Sequence, residues 1–267
     1  MRLLKVFFVI CFLHMPFLLK AEGESKFSWS ANATVTSNYI WRGLYCGGPS
    51  LQVDATVGYA GFYANMWWNV GATDWTFSTF NPEVDVMIGF SRWGLNVNYL
   101  HCFYFDQYPD GTPSRFFDFR NHPRKGGGTT GEWRVSYRVS DKIPLSCLVA
   151  FRTFGRDGYL VDGELRRAYS TYIELGYDFD LGADWCLAAR LGVTPAKSLY
   201  TGFQGDFAVT LVGLKLNKSW ALSHGTISTF AHVMLQPWQV DKDNLIKPIT
   251  EAGSQKLNVA VGCSYGI

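Results

Sequence analysis

The chain has 267 residues, with 24 Lys and Arg against 22 Asp and Glu, a formal charge of +2. A balance this close to neutral gives no reason to expect a nucleic-acid partner. Mean hydropathy is −0.01 with only 17% charged and 16% aromatic residues, which would be odd for a helical membrane protein and suits a sheet with one greasy and one polar face.

Residues 1–21 read as a secretory signal. Arg2 and Lys5 form the basic start, Val6–Leu19 is an apolar run broken by His14 and Pro16, and Ala21 is a small residue at the cleavage point. A membrane anchor is the alternative, but the run is short and carries a proline. Ile10 stands before Cys11 where a lipoprotein signal would place a small residue. No later stretch reaches 18 consecutive apolar residues, so helical spans are not expected. Residues 22–267 read as one domain, without repeat or linker.

From Trp29 onward the chain alternates with period two. Trp29, Ala31, Ala33, Val35, Ser37, Tyr39 and Trp41 stand against Ser30, Asn32, Thr34, Thr36 and Asn38. In a strand these are opposite faces. The apolar face is about as long as a bilayer core is thick, with aromatics at both rims, which is the pattern of a membrane-spanning strand. Twelve such strands are predicted, at 28–41, 50–59, 62–73, 83–92, 94–104, 131–140, 144–154, 168–179, 184–194, 206–216, 226–236 and 256–267. Leu211 to Leu214 break the alternation, which predicts a bulge or a shifted boundary there.

The connections sort by parity. Ala60-Gly61, Trp93, 141–143 and 181–183 are tight, whereas 42–49, 74–82, 105–130, 155–167, 195–205 and 237–255 are long. Short turns on one side and long loops on the other are the habit of outer-membrane barrels. The turn near 217–225 is longer than its class predicts. The expected fold is therefore an all-β, antiparallel, up-and-down transmembrane barrel with both termini on the short-turn side. β-Sandwiches and lipocalin-type barrels share the alternation but have no reason to rim it with aromatics or to sort their loops.

Val35-Thr36-Ser37-Asn38-Tyr39-Ile40-Trp41-Arg42-Gly43, then Pro49-Ser50-Leu51-Gln52 and Gly61-Phe62-Tyr63-Ala64-Asn65-Met66-Trp67, resemble the opening strands of the TorF-type porin family of Gram-negative bacteria, in a Bacteroides-like style. The resemblance is specific over residues 33–72 and architectural beyond. It implies an outer-membrane channel of undefined substrate and brings no catalytic residues. On the residues themselves, Tyr39 and Trp41 are expected at the outer rim, where amphipathic rings favour the headgroup zone. Arg42 would begin the first external loop, reaching lipopolysaccharide phosphates, entering the lumen mouth, or simply ending the strand in solvent.

A twelve-stranded barrel is about 24 Å across its backbone before side chains narrow it, between filled eight-stranded and open sixteen-stranded barrels. Predicted lining residues include Asn32, Thr34, Asn65, Asp85, Asn96, Asn98 and Asp178. The charges expected to act on a solute are Asp54, Glu132, Arg134, Arg138, Arg152, Glu174 and Arg190. Basic groups on one wall and acidic groups on another would make a transverse field; the same groups pairing with each other would close the lumen. The loop 105–130, rich in aromatics and carrying Arg115, Asp118, Arg120, Arg124 and Lys125, is expected to fold inward as a constriction or to form a surface lid, its basic run holding an anionic solute or lipopolysaccharide.

The cysteines are scattered without metal or disulfide spacing, and the chain has no P-loop, HExxH or GxSxG. His101 falls on the lipid-facing register near the upper end of its strand, without a matching serine for a lipid hydrolase. No cofactor and no metal are expected. The expected function is a passive outer-membrane channel for small polar solutes, with outer-membrane lipid and lipopolysaccharide as surroundings. A closed barrel whose loops bind a surface ligand is the second reading, and a lipid-modifying enzyme the third.

Overall fold

The computed structural model describes residues 26–108, 110–123, 128–203, 205–237 and 257–267. Among them, twelve long strands form one antiparallel ring. They are β1 (Phe27–Thr36), β2 (Ser50–Tyr59), β3 (Phe62–Gly71), β4 (Glu83–Arg92), β5 (Leu95–Tyr104), β6 (Thr129–Arg138), β7 (Leu145–Val161), β8 (Thr171–Gly182), β9 (Trp185–Thr194), β10 (Ala208–Leu222), β11 (Gly225–Leu235) and β12 (Leu257–Gly266). Each pairs with the next, and β12 returns to β1 through Asn32↔Gly266 and Thr36↔Gly262. A closed ring leaves no edge strand to be satisfied in lipid. Among the described residues no helix is long and apolar enough to cross a membrane. The expected signal at 1–21, Arg124 and Lys125 lie outside the described residues.

Alternation sorts the two faces as expected. Trp29, Val57, Phe62, Ile88, Leu175, Leu191 and Val259 point outward and are exposed. Asn65, Asn96, Asn98, Glu132 and Glu174 occupy the alternate positions and are buried. The tight turns Ala60-Gly61 and Trp93-Gly94 hold positive φ at both residues, the hairpin geometry whose twist matches the flanking strands.

Three boundaries differ from the sequence reading. First, β10 runs to Leu222 and β11 begins at Gly225, so the connection near 217–225 is a tight turn and the parity rule holds there. The broken alternation marks a bulge, since Gly192 pairs with Leu211 but Val193 with Val209, leaving Thr210 extra. Second, β7 outlasts its neighbours. Its end beyond Gly155 leaves the ring to pair with the short strands Asn121–Pro123 and Glu164–Arg167.

Third, β1 stops at Thr36 rather than at 41. Ser37 and Asn38 take over the edge of β12 with their side chains. The Val261 amide donates to Ser37 Oγ at 2.9 Å, and Asn38 Nδ2 donates to the Val259 carbonyl at 2.7 Å. The ladder is thereby satisfied where the backbone departs. Tyr39–Trp41 then pairs with Leu44–Gly47 as a separate hairpin. Tyr39 and Trp41 are consequently inside the barrel, not on its outer rim.

Candidate lumenal site

The hairpin 37–49 turns on Arg42 and Gly43, with φ of 51° and 83°. Both lie in the left-handed region, and for arginine that conformation carries a cost that the surroundings must offset. They do so at the tip. Arg42 Nη1 and Nη2 each donate to one oxygen of Glu132 at 2.8 Å, a bidentate pair. Nη1 also donates to Tyr200 Oη at 2.6 Å. The guanidinium carbon is 4.5 Å from the ring centres of both Trp41 and Tyr172, so the cation lies between two aromatic rings. Glu132 and Arg42 side chains are 4% and 7% exposed; a charge this deep persists only if paired.

The hairpin touches walls on every side of the lumen. Tyr39 Oη donates to Glu83 of β4 at 3.1 Å, and its ring lies 5.5 Å from Trp67 of β3. Arg42 reaches β6 and β8. Asn258 of β12 donates to the Gly43 carbonyl at 3.1 Å. A Cβ on Gly43 would stand 2.6 Å from the Thr210 carbonyl oxygen of β10, so glycine alone permits this approach. Leu44 packs in a buried cluster with Leu148, Ala150, Tyr172, Leu199 and Tyr200. Tyr200 comes from a second inward segment, the single turn Leu199–Thr201, which is seated by the Leu199 amide donating to Ser170 Oγ at 2.8 Å.

Of the charges expected to line the lumen, Glu132, Arg134, Arg138, Arg152, Glu174 and Arg190 fall in two groups. At the level of the hairpin, Glu132 accepts from Arg134 Nε at 2.7 Å as well as from Arg42, and Arg152 lies 5.5 Å from the Trp41 ring. Below it, Asp178 accepts from Arg138 at 2.7 Å and from Arg190 at 2.6 Å, with Glu174 3.8 Å from Arg190. Arg138 and Asp178 side chains are 28% and 21% exposed, so the lumen is more open to solvent here than at the hairpin. Asp54 faces inward from β2 and Glu83 and Asp85 stand on β4, with Trp67 of β3 between Asp54 and Asp85 in register, whereas Arg134, Arg138, Arg152, Arg190 and Lys215 stand on β6, β7, β9 and β10. Partial pairing joins these charges, Glu132 with Arg134 and Asp178 with Arg138 and Arg190.

The long loop goes the other way. His101 and Phe103 alternate with the inward Leu100 and Cys102, and so face out. Phe116 and Phe119 lie 4.6 and 5.8 Å from the His101 ring, Phe116 lies 5.4 Å from Phe103, and Phe119 lies 5.0 Å from Phe154. His101 Nε2 is 2.8 Å from the Phe116 carbonyl oxygen, and Thr129 Oγ1 donates to the Asp118 carbonyl at 2.6 Å. The expected inward constriction by Arg115, Asp118 and Arg120 is thus corrected: these residues sit on the outside of the wall. The physical reason is that β5, β6 and β7 offer outward aromatic and polar partners there, while the inward Glu132 and Glu83 are already met by the hairpin. His101 is covered by this loop and does not present itself to lipid.

Sequence reasoning missed Tyr200 and Glu83 as anchors and left Arg42 with three roles. The available signal was a lone arginine inside the otherwise uncharged run from Ser37 to Gly48.

No protein-family model matches the chain, and no curated protein matches it. Among solved structures it is similar to a KdgM porin at 9% identity and TM-score 0.43, covering 88% of this chain and 98% of that one. It is also similar to a NanC porin in a rhombohedral crystal form, at 11% identity and TM-score 0.45, covering 90% and 98%.

Proposed function

We propose that the protein is a channel of a Gram-negative outer membrane, admitting small polar solutes past a constriction made by the hairpin 37–49. One observation carries the reading: a closed ring is greasy on its outside and turns Asn65, Asn96, Asn98, Glu132 and Glu174 inward, the inverse of a soluble fold. A hydrocarbon surrounding satisfies the exterior and water the interior. The TorF-type resemblance over residues 33–72 agrees with it, and that stretch contains the whole constricting hairpin.

Solutes in this reading pass between the acidic wall of Asp54, Glu83 and Asp85 and the basic wall of Arg134, Arg138 and Arg190. Such a transverse field orders dipolar and hydrogen-bonding solutes and turns back lipid tails. No step of the reading requires a cofactor, a metal or a catalytic group.

The hairpin's contacts around the lumen favour a second reading, a closed barrel whose external loops do the binding. Planar-bilayer recording of the refolded protein separates the two. Discrete single-channel steps are expected for the channel. A folded, heat-modifiable barrel that gives no steps, both as wild type and as Arg42→Ala, leaves the closed barrel as the answer.

A further inference from the structure

The external segment 105–123 has a surface that the channel reading does not use. Its buried side is spent on the barrel wall, through Phe116 on His101 and Phe103. Its other side leaves Phe105, Phe117 and Phe119 exposed, Phe117 at 77%. Phe105 lies 4.9 Å from Phe103, an outward residue of β5 that Phe116 covers. The exposed rings therefore stand over the outward face of β5, the face read here as lipid-facing, at its long-loop end.

Immediately beside it is a pocket of about 530 Å³ lined by Tyr108, Asp110, Thr112, Arg115, Arg120 and His122. Three of these side chains converge on Asp118. It accepts from Arg120 Nε at 2.9 Å and Nη2 at 2.8 Å and from Tyr108 Oη at 2.5 Å, with His122 Nε2 at 2.9 Å. Asp110 is turned onto its own loop, accepting from the Thr112 amide and hydroxyl at 3.0 and 2.7 Å. Arg115 is exposed and forms no ion pair within the described residues. The pocket thus brings together a positioned guanidinium and an unspent one, the planar donors that suit a phosphate monoester. Exposed rings at one border and phosphate donors at the other match an amphiphile whose charge is phosphate.

We infer that this segment is a binding site for the phosphorylated glycolipid of the outer leaflet, its acyl chains against Phe117 and Phe119 and a phosphate at Arg115 and Arg120. The inference rests on the membrane reading above. It commits to the lipid and not to free phosphate.

The test uses the full-length mature chain in nanodiscs of phosphatidylcholine. Heat-modifiable folding in phosphatidylcholine alone is checked first; failure there overturns the membrane reading and this site with it. Diphosphoryl lipid A is then titrated and bound lipid counted by native mass spectrometry. Retention of lipid A over phosphatidylcholine is expected, falling about tenfold in Arg115→Gln and about tenfold for dephosphorylated lipid A, as for loss of one charged hydrogen-bonding group. Phe117→Ala with Phe119→Ala should weaken both lipid A forms alike. Equal retention of phosphorylated and dephosphorylated lipid A, or no change in Arg115→Gln, overturns the site. Displacement of lipid A by millimolar inorganic phosphate would make it a bare anion site and overturn the lipid assignment.

Discussion

Two aromatic-rich connections leave the long-loop end of this barrel and fold in opposite directions. The hairpin 37–49 turns in and meets strands around the lumen; the segment 105–123 turns out and covers β5 to β7. Both are rich in rings, but the hairpin carries the single charge of Arg42 whereas 105–123 carries Asp106, Asp110, Asp118, Arg115 and Arg120. What also differs is the wall each one meets. Glu132 stands buried on the inward face, with Arg134 beside it and Arg42 in reach as a second cation. On the outward face, His101 and Phe103 present rings and a polar nitrogen that Phe116 and Phe119 cover. The direction in which each connection folds follows the wall it meets.

The strongest way to break this comparison is Arg42→Ala. Glu132 keeps Arg134 at 2.7 Å, so the barrel survives while the hairpin loses its tip anchor. Breaking a buried pair costs about 3 kcal/mol at the low end, a factor of roughly 100 in the ratio of seated to released hairpin. Larger single-channel steps and new proteolytic cleavage within 37–49 are expected. Unchanged conductance would remove the hairpin from its role. Glu132→Gln is expected to harm the barrel itself, because Arg42, Arg134 and Arg152 would then face one another without their carboxylate.

Gly43→Ala acts on the same hairpin through backbone alone. The new Cβ would meet the Thr210 carbonyl oxygen at 2.6 Å, and alanine would have to hold a φ of +83°. A cost of about 2 kcal/mol is expected, with conductance between wild type and Arg42→Ala. Retention of the Arg42–Glu132 pair makes this the graded member of the series.

These residues also show how far the sequence could be read. Strand number and facing were legible, because alternation is a local property that every residue reports. The Asn65, Asn98 and Glu132 positions were all assignable from it. The end of β1 was not legible, since Tyr39 and Trp41 continue the alternation beyond the point where Ser37 and Asn38 satisfy β12 with side chains instead of backbone. Nor was the Arg42–Glu132 pair, which joins residues 90 apart in sequence; such a pair exists only once the ring has closed. The Thr210 bulge left a trace, in the broken pattern after Leu211, because a bulge shifts facing for every residue beyond it.

Replacing 107–117 by a short Gly-Ser linker sharpens the other half of the comparison. A segment lying on the outer wall should leave single-channel conductance unchanged when removed. Thermal stability should fall slightly, as Phe103 and His101 lose their cover. A rise in conductance comparable to that of Arg42→Ala would return the segment to the lumen.

The smallest effect expected is that of mild acid on the outer segment. The Arg120 guanidinium, with the Tyr108 hydroxyl and the His122 ring, holds the Asp118 carboxyl well below the usual carboxylate range. A group whose pKa is lowered by folding contributes its full stabilisation above the unfolded value, about 3.9 for aspartate, and loses it only as pH falls through the lower folded value. Limited proteolysis within 105–123 should therefore stay constant from pH 8 down to pH 5 as far as Asp118 is concerned, and rise only in strong acid. Asp118→Asn should raise cleavage at neutral pH, because Arg120 loses its charged acceptor, and should abolish the acid-dependent rise. A segment that loosens steeply between pH 5 and 4 in the wild type would mean that Asp118 is not held by Arg120, and that the outward fold is fastened by its rings alone.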